Sequence, residues 1–284
     1  MNAVKVKPKV AIVIGSGSVK CAAALGMYDL LKQEAIEIDL IVGCSGGALF
    51  ATLIAMGVQV DDAIERTKRL WTRDITQQRS IRDFLSVVFP KWLDFDENFG
   101  LNDDALILER LYEAYGQMTF ADTQRPLYLT ATDFHTGEQI VINEGKIVPA
   151  IRASMAIPFS FKPLEVDNRL LVDGFMSDPL PVGAAISNGA GIILAIGFES
   201  PYQSRITSAG RFAFQMSSIM TNNLLKSKLA FYNASHHAEI ITIIPKFTER
   251  VRLFETSKIP YVIEEGRKAT AQHLPYLREL LNSY

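Results

Sequence analysis

Two cysteines, four histidines and no long apolar run mark this 284-residue chain by what is scarce in it. Cys21 and Cys44 cannot build a disulfide framework, and neither stands at metal-ligand spacing from another cysteine or histidine, so a disulfide scaffold and a zinc module are excluded. Lys and Arg number 29 against 31 Asp and Glu, for a net charge of −2, which leaves no basic footprint for a nucleic acid. No segment reaches the length of an uninterrupted membrane span, so contact with lipid has to be peripheral. No period repeats, and no stretch is rich in Pro, Gly and Ser, so the expectation is one large α/β domain over residues 1–284. The opening Met-Asn-Ala-Val-Lys-Val-Lys-Pro-Lys lacks the apolar core of a signal peptide, which together with the scarce cysteine reads as cytoplasmic.

What is present begins with a buried strand, Lys9 to Ile14, a loop from Gly15 to Val19, and a helical pattern from Lys20 to Leu31. Ile38 to Gly43 reads as the second strand and runs into an apolar helix from Gly46. A βαβα beginning favours a mostly parallel sheet flanked by helices. Further strands are expected at Leu127 to Ala131, Gln139 to Ile142, Leu170 to Val172, Gly191 to Ile196 and Glu239 to Ile244. Helices are expected from Arg211 to Tyr232 and from Tyr261 to Leu281, the latter broken near Pro275.

The junction Gly43-Cys44-Ser45-Gly46-Gly47 has the form of a nucleophile elbow. A serine between the end of a strand and the start of a helix is thrust out on a strained turn, and glycines on either side remove side chains that would clash as the two elements close. The helix start then aims free N–H groups and a positive dipole end at a reacting carbonyl. A G-x-S-x-G pattern alone arises by chance in roughly one chain in ten of this length. The inference rests on the apolar strand before it and the small-residue helix after it. Cys44 reads as a small buried hydrophobe.

A hydrolytic serine needs a base. His135, His236, His237 and His273 fall in a polar turn, at a helix end and within a C-terminal helical pattern, positions typical of surface residues. The chain order Ser45, Asp173, His273 formally meets the α/β-hydrolase triad, yet that fold sets several strands before its nucleophile and here one does. Asp173 follows the short strand Leu170 to Val172 and precedes Gly174 and the helix-opening Ser177-Asp178-Pro179. Taken alone, an aspartate before glycine at a strand end is a turn former.

Four separated blocks together resemble the patatin-like phospholipases: the elbow, Gly15-Ser16-Gly17-Ser18-Val19-Lys20-Cys21, Arg152-Ala153-Ser154-Met155-Ala156-Ile157-Pro158 with Phe161-Lys162-Pro163, and Asp173-Gly174 between Asn168-Arg169-Leu170 and Pro179-Leu180-Pro181. Their order and spacing match over nearly the first two hundred residues. The resemblance implies an α/β acyl hydrolase with a Ser-Asp dyad and no histidine, in which Ser45 is the nucleophile, Asp173 the general base, and the backbone N–H groups of Ser16, Gly17 and Ser18 the oxyanion hole. It implies a lipid or other acyl-ester substrate, with no metal and no cofactor. An aspartate with a pKa near 4 is a poor base at pH 7, so burial or a short Ser-Asp bond has to raise its proton affinity.

The sequence departs from the family pattern at Ser16, Ser18 and Cys21, which replace glycines, at Lys20, where Arg is frequent, and at Phe175, where a small residue is usual. A serine forced to φ above zero in the loop costs energy. A non-catalytic lipid-binding or regulatory module on the same fold is therefore the alternative, and a phosphate-binding loop at Gly15 to Ser18 is a second one, though G-K-[ST] and the third Gly of G-x-G-x-x-G are missing. Ile81 to Phe99 is crowded with Phe, Leu and Trp around Pro90, and reads either as a satellite helix on the core or as a lid over an apolar site.

Overall fold

Residues Val10 to Ile14 are all buried, with Val10, Ile12 and Ile14 in one apolar cluster and Ala11 and Val13 in another. A strand buried on both sides needs helices above and below it. The computed structural model, which describes residues 7–71, 97, 99–100, 104–200, 202, 204–207 and 209–283, supplies them. The strands are β1 (Lys9–Ile14), β2 (Leu40–Cys44), β3 (Leu127–Asp133), β4 (Gln139–Ile142), β5 (Leu164–Val166), β6 (Arg169–Asp173), β7 (Ala190–Ile196) and β8 (Glu239–Ile243). The helices are α1 (Ala23–Gln33), α2 (Gly46–Ala55), α3 (Val60–Leu70), α4 (Asp104–Tyr115), α5 (Ile147–Ser154), α6 (Val182–Ser187), α7 (Ala209–Ser235), α8 (Ile259–Ala271) and α9 (Leu274–Asn282).

The sheet has the order β5-β6-β3-β2-β1-β7-β8, with β4 also paired to β3. From β3 to β8 every neighbour is parallel, while β4, β5 and β6 add antiparallel pairings at one side. The α/β architecture is the expected one. The larger cluster joins the sheet to helices that include α1, α2 and α8, and the smaller one joins its other face to α6 and α7. All residues of α2 are buried, as a sequence that is apolar but for Thr52 requires, and the Thr52 hydroxyl donates to the Ala48 carbonyl within the helix.

Register explains how the sheet builds a site. Thr130 of β3 pairs with Cys44 on one edge and Val141 on the other, and the next residue, Ala131, pairs with Asp173 and Ile140. Strand β4 runs along one edge throughout, so β2 and β6 share the opposite edge, meeting end to end where β2 stops. The last residue of β6 is therefore held beside the residue that follows β2.

The aromatic segment from 81 to 99 lies outside the described residues apart from positions 97 and 99. Phe99 itself stands edge-on to Phe159, with ring centroids 6.2 Å apart.

Candidate active site

Ser45 sits between β2 and α2 with φ 56° and ψ −125°, a conformation that L-residues rarely adopt and that active-site elbows retain. Two glycines make the turn sterically possible. A Cβ on Gly47 would stand 2.3 Å from the Ile14 carbonyl oxygen, and one on Gly46 would stand 2.5 Å from both N and Cα of Ser18. The elbow is thus pressed directly against the end of β1 and the loop that follows it. The Ser45 N–H donates to Ser154 Oγ at 2.8 Å, and that hydroxyl donates to the Thr130 carbonyl at 2.7 Å, pinning the elbow to β3 through α5. Sequence reasoning missed this role of Ser154, although the residue lies in one of the four blocks.

The Ser45 hydroxyl donates to Asp173 Oδ2 at 2.6 Å. The other carboxylate oxygen accepts the Phe175 N–H at 3.0 Å, the Asp173 N–H donates to the Ala156 carbonyl at 3.0 Å, and Thr132 Oγ1 donates to the Asp173 carbonyl at 2.9 Å. Every polar group of the residue is engaged, and its relative exposure is 0%. Burial pushes its pKa up to about 7; the bonds from Ser45 and the Phe175 N–H and the charge of Arg152 pull the other way but are outweighed. A base must be ionised to accept a proton, so with Asp173 as the base, hydrolysis of a neutral ester would rise about tenfold per pH unit up to near pH 7 and then level off. A flat pH–rate profile between pH 5 and 8 would rule Asp173 out as the base. The same shift has a stability consequence of definite sign. The folded-state pKa is raised, so the proton on Asp173 favours the folded state fully below the ordinary value of 3.8, and this contribution is lost as pH rises through about 7.

The loop after β1 carries the three N–H groups that the resemblance implies for an oxyanion hole. That of Ser16 donates to the Pro179 carbonyl at 2.8 Å, which leaves Gly17 and Ser18 for the role. Ser18, not Ser16, takes a positive φ, 53°. Its hydroxyl donates to the Leu253 carbonyl, and the Val19 N–H donates to the same oxygen at 3.2 Å, so a bond that glycine cannot make offsets the strain. Lys20 reaches the Glu199 carbonyl at 3.3 Å and lies 5.8 Å from the centroid of the Phe247 ring.

Two buried charged groups complete the surroundings. Asp178 accepts from Tyr232 Oη at 2.6 Å and from the Leu180 N–H at 3.1 Å, with Lys228 4.0 Å away, and burial pushes its pKa up to about 6. Its own carbonyl accepts the Cys44 thiol at 3.5 Å, and the next carbonyl, of Pro179, holds Ser16. One short segment thus ties α7, the elbow strand and the loop after β1 together. Arg152 is 1% exposed, donates to Asp104 at 2.5 Å and to the Lys162 carbonyl at 2.8 Å, and lies over Phe161. His135, His236 and His237 are exposed and His273 precedes α9, while Ser45 has its bond to Asp173. Burial raises the pKa of both cysteines, which keeps them as thiols. Among the described residues no three His, Cys, Asp or Glu side chains gather where a metal ion could be held.

A family model described as patatin-like phospholipase matches residues 12–186, a span that holds all four blocks. An uncharacterized NTE family protein of Mycobacterium bovis is 30% identical over 189 residues, covering 66% of this chain and 49% of the relative. Patatin-like phospholipase domain-containing protein 7 of Rattus norvegicus is 27% identical over 203 residues, covering 71% of this chain and 14% of the relative. The chain therefore spans about half the length of the mycobacterial relative and a small part of the rat one. The crystal structure of VipD from Legionella pneumophila shares the fold, with a TM-score of 0.54 at 16% identity over 98% of this chain and 67% of that one. With its matched span running from β1 through the elbow and Asp173 into α6, this chain belongs to the patatin-like phospholipase family.

Proposed function

We propose that the chain is a serine acyl-ester hydrolase, acting on phospholipid, lysophospholipid or another fatty acyl ester through Ser45 and Asp173. The observation that carries this reading is the 2.6 Å bond from the strained Ser45 hydroxyl to a buried carboxylate whose pKa is pushed to about 7. In the first half-reaction Asp173 takes the hydroxyl proton as Ser45 Oγ attacks the ester carbonyl. Negative charge develops on the carbonyl oxygen beside the N–H groups of Gly17 and Ser18 and the N-terminus of α2. As the tetrahedral intermediate collapses, Asp173 returns the proton to the leaving alcohol. Water then attacks the acyl-serine by the same route, giving its proton to Asp173 and releasing the fatty acid as the serine regains a proton. No step calls for a cofactor. We read residues 1–284 as one domain of a cytoplasmic enzyme that meets lipid peripherally.

The strained Ser18 and the engaged Ser16 amide are what favour the second reading, a lipid-binding module that has lost its chemistry. A fluorophosphonate probe separates the two, because an activated serine in an oxyanion hole attacks phosphorus as it does carbon. Stoichiometric labelling of Ser45, located by peptide mass spectrometry, is the expected result. Folded protein that stays unlabelled by a small, freely diffusing probe would favour the module.

A further inference from the structure

The outward face of α7 is the wrong way round for a helix that faces water. At about 100° per residue, Phe212, Met216, Met220 and Phe231 fall within an arc of about 100°. The buried Ser218, Thr221, Asn222, Leu225 and Tyr232 fall on the opposite side, where Leu225 and Tyr232 join the cluster on the face of the sheet. Phe212 is 55% exposed, Met220 66% and Phe231 59%, so solvent meets large apolar groups where a surface helix ordinarily presents charge. Tyr202 and Ile206, in the segment leading to the helix, are exposed as well.

Charge is distributed to match. No Asp or Glu occurs between Glu199 and Glu239, although the chain has 31 such residues, while Arg205, Arg211, Lys226 and Lys228 all lie in that interval. Lys228 turns toward Asp178, whereas Arg205 and Lys226 are exposed. An apolar stripe on a helix whose charges are all cationic has the chemistry of a surface that lies in the headgroup layer of an anionic membrane. Pairing this face with a second copy of itself would set cations against cations, with no acid in the stretch to answer them.

The helix is also joined to the catalytic end of the sheet. It follows β7, whose C-terminal end lies beside that of β1, the strand leading into the oxyanion loop. Ser200 and Asn222 exchange two hydrogen bonds, of 2.8 and 3.0 Å, and Lys20 reaches the Glu199 carbonyl. The first half of the stripe therefore lies near the end of the molecule that holds Ser45.

We propose that α7 is the membrane-docking surface of this protein, laying Phe212, Met216 and Met220 into an anionic bilayer so that the mouth of the Ser45 site meets lipid in place. This rests on the acyl-ester reading of the site, and it makes lipid packed in a surface, not dispersed monomer, the favoured form of substrate. Docking is read by co-sedimentation of the Ser45→Ala protein with phosphatidylcholine vesicles prepared with and without phosphatidylglycerol, so that hydrolysis cannot alter the surface. Binding is expected only to the phosphatidylglycerol vesicles and is expected to weaken as salt is raised. Phe212→Ser/Met216→Ser/Met220→Ser is expected to cut the bound fraction by about tenfold or more. With Ser45 restored, the same triple variant is expected to hydrolyse a short soluble ester within about twofold of the parent, which also reports its folding. Failure of the parent to bind phosphatidylglycerol vesicles, or equal binding by the triple variant, would overturn the proposal. So would a parent dimer by light scattering that the triple variant turns into a monomer while vesicle binding stays the same, since the face would then belong to a second copy. If no variant hydrolyses any ester yet the Ser45→Ala protein still docks through α7, the hydrolase reading falls and the docking surface stands.

Discussion

Ser45→Ala and Asp173→Asn are each expected to lower ester hydrolysis by about 10⁴-fold or more, because in the proposed dyad nucleophile and base act as one unit and neither substitute can carry out the proton transfer. Their effects on stability are expected to diverge from their effects on activity. Asp173 is held without exposure to water, and its ionisation in the folded state is disfavoured enough to bring its pKa to about 7. Asparagine is neutral and close in shape, so above pH 7 it removes the cost of an ionised buried carboxylate, and Asp173→Asn is expected to be as stable as the parent or more stable by about 1–3 kcal/mol. Thermal melts at pH 8, run beside activity on a short ester, test both halves. Replacing His135, His236 and His273 together is expected to leave most of the activity, since Ser45 already donates to Asp173. Loss of activity from a folded His273 variant alone would restore the triad in place of the dyad.

Much of this site could be read from sequence because its parts are local. β1 and β4 fall on the residues expected of them, Lys9–Ile14 and Gln139–Ile142, where apolar runs are bounded by turn-forming residues. The elbow is written within five consecutive residues. The pairing of Ser45 with Asp173 is not written locally at all. It depends on β2 and β6 abutting on one edge of β3, contacts made across 128 residues of chain, and sequence suggested it only through the joint pattern of four blocks. α5 is not marked by its sequence in the same way, and its Pro149 lies in the first turn, where a missing N–H costs nothing. The expected helix from Lys20 begins instead as a 3₁₀ turn at Ser18, and α1 proper starts at Ala23. The C-terminal helix is indeed divided, α8 ending at Ala271 and α9 starting at Leu274 with Pro275 in its first turn. The departure from glycine at Ser18 could not be judged from sequence, because the acceptor of its hydroxyl, the Leu253 carbonyl, is remote in the chain.

Gly46→Ala is expected to lower kcat by about 10²–10³-fold while leaving the protein folded, the size of loss that follows when an oxyanion donor is displaced. The added methyl would stand 2.5 Å from the Cα and N of Ser18, backbone atoms with no flexible side-chain end to swing away. Alanine itself suits the first turn of a helix, so α2 has no reason to unwind. The loop has to yield instead, but it is held at Ser16 by Pro179 and at Ser18 and Val19 by Leu253, so the strain falls on the amides of Gly17 and Ser18 between those ties. Labelling of Ser45 by a fluorophosphonate is expected to slow in step with kcat, because its transition state places charge on the same donors, whereas KM for a short ester changes little. Gly47→Ala provides the contrast: its methyl would meet the Ile14 carbonyl of a central strand at 2.3 Å, so the damage there is to the fold and appears as a lowered melting temperature. A folded Gly46→Ala protein that kept its kcat within a few-fold of the parent would show that the loop after β1 does not stabilise the oxyanion, and would move that role to the first turn of α2 alone.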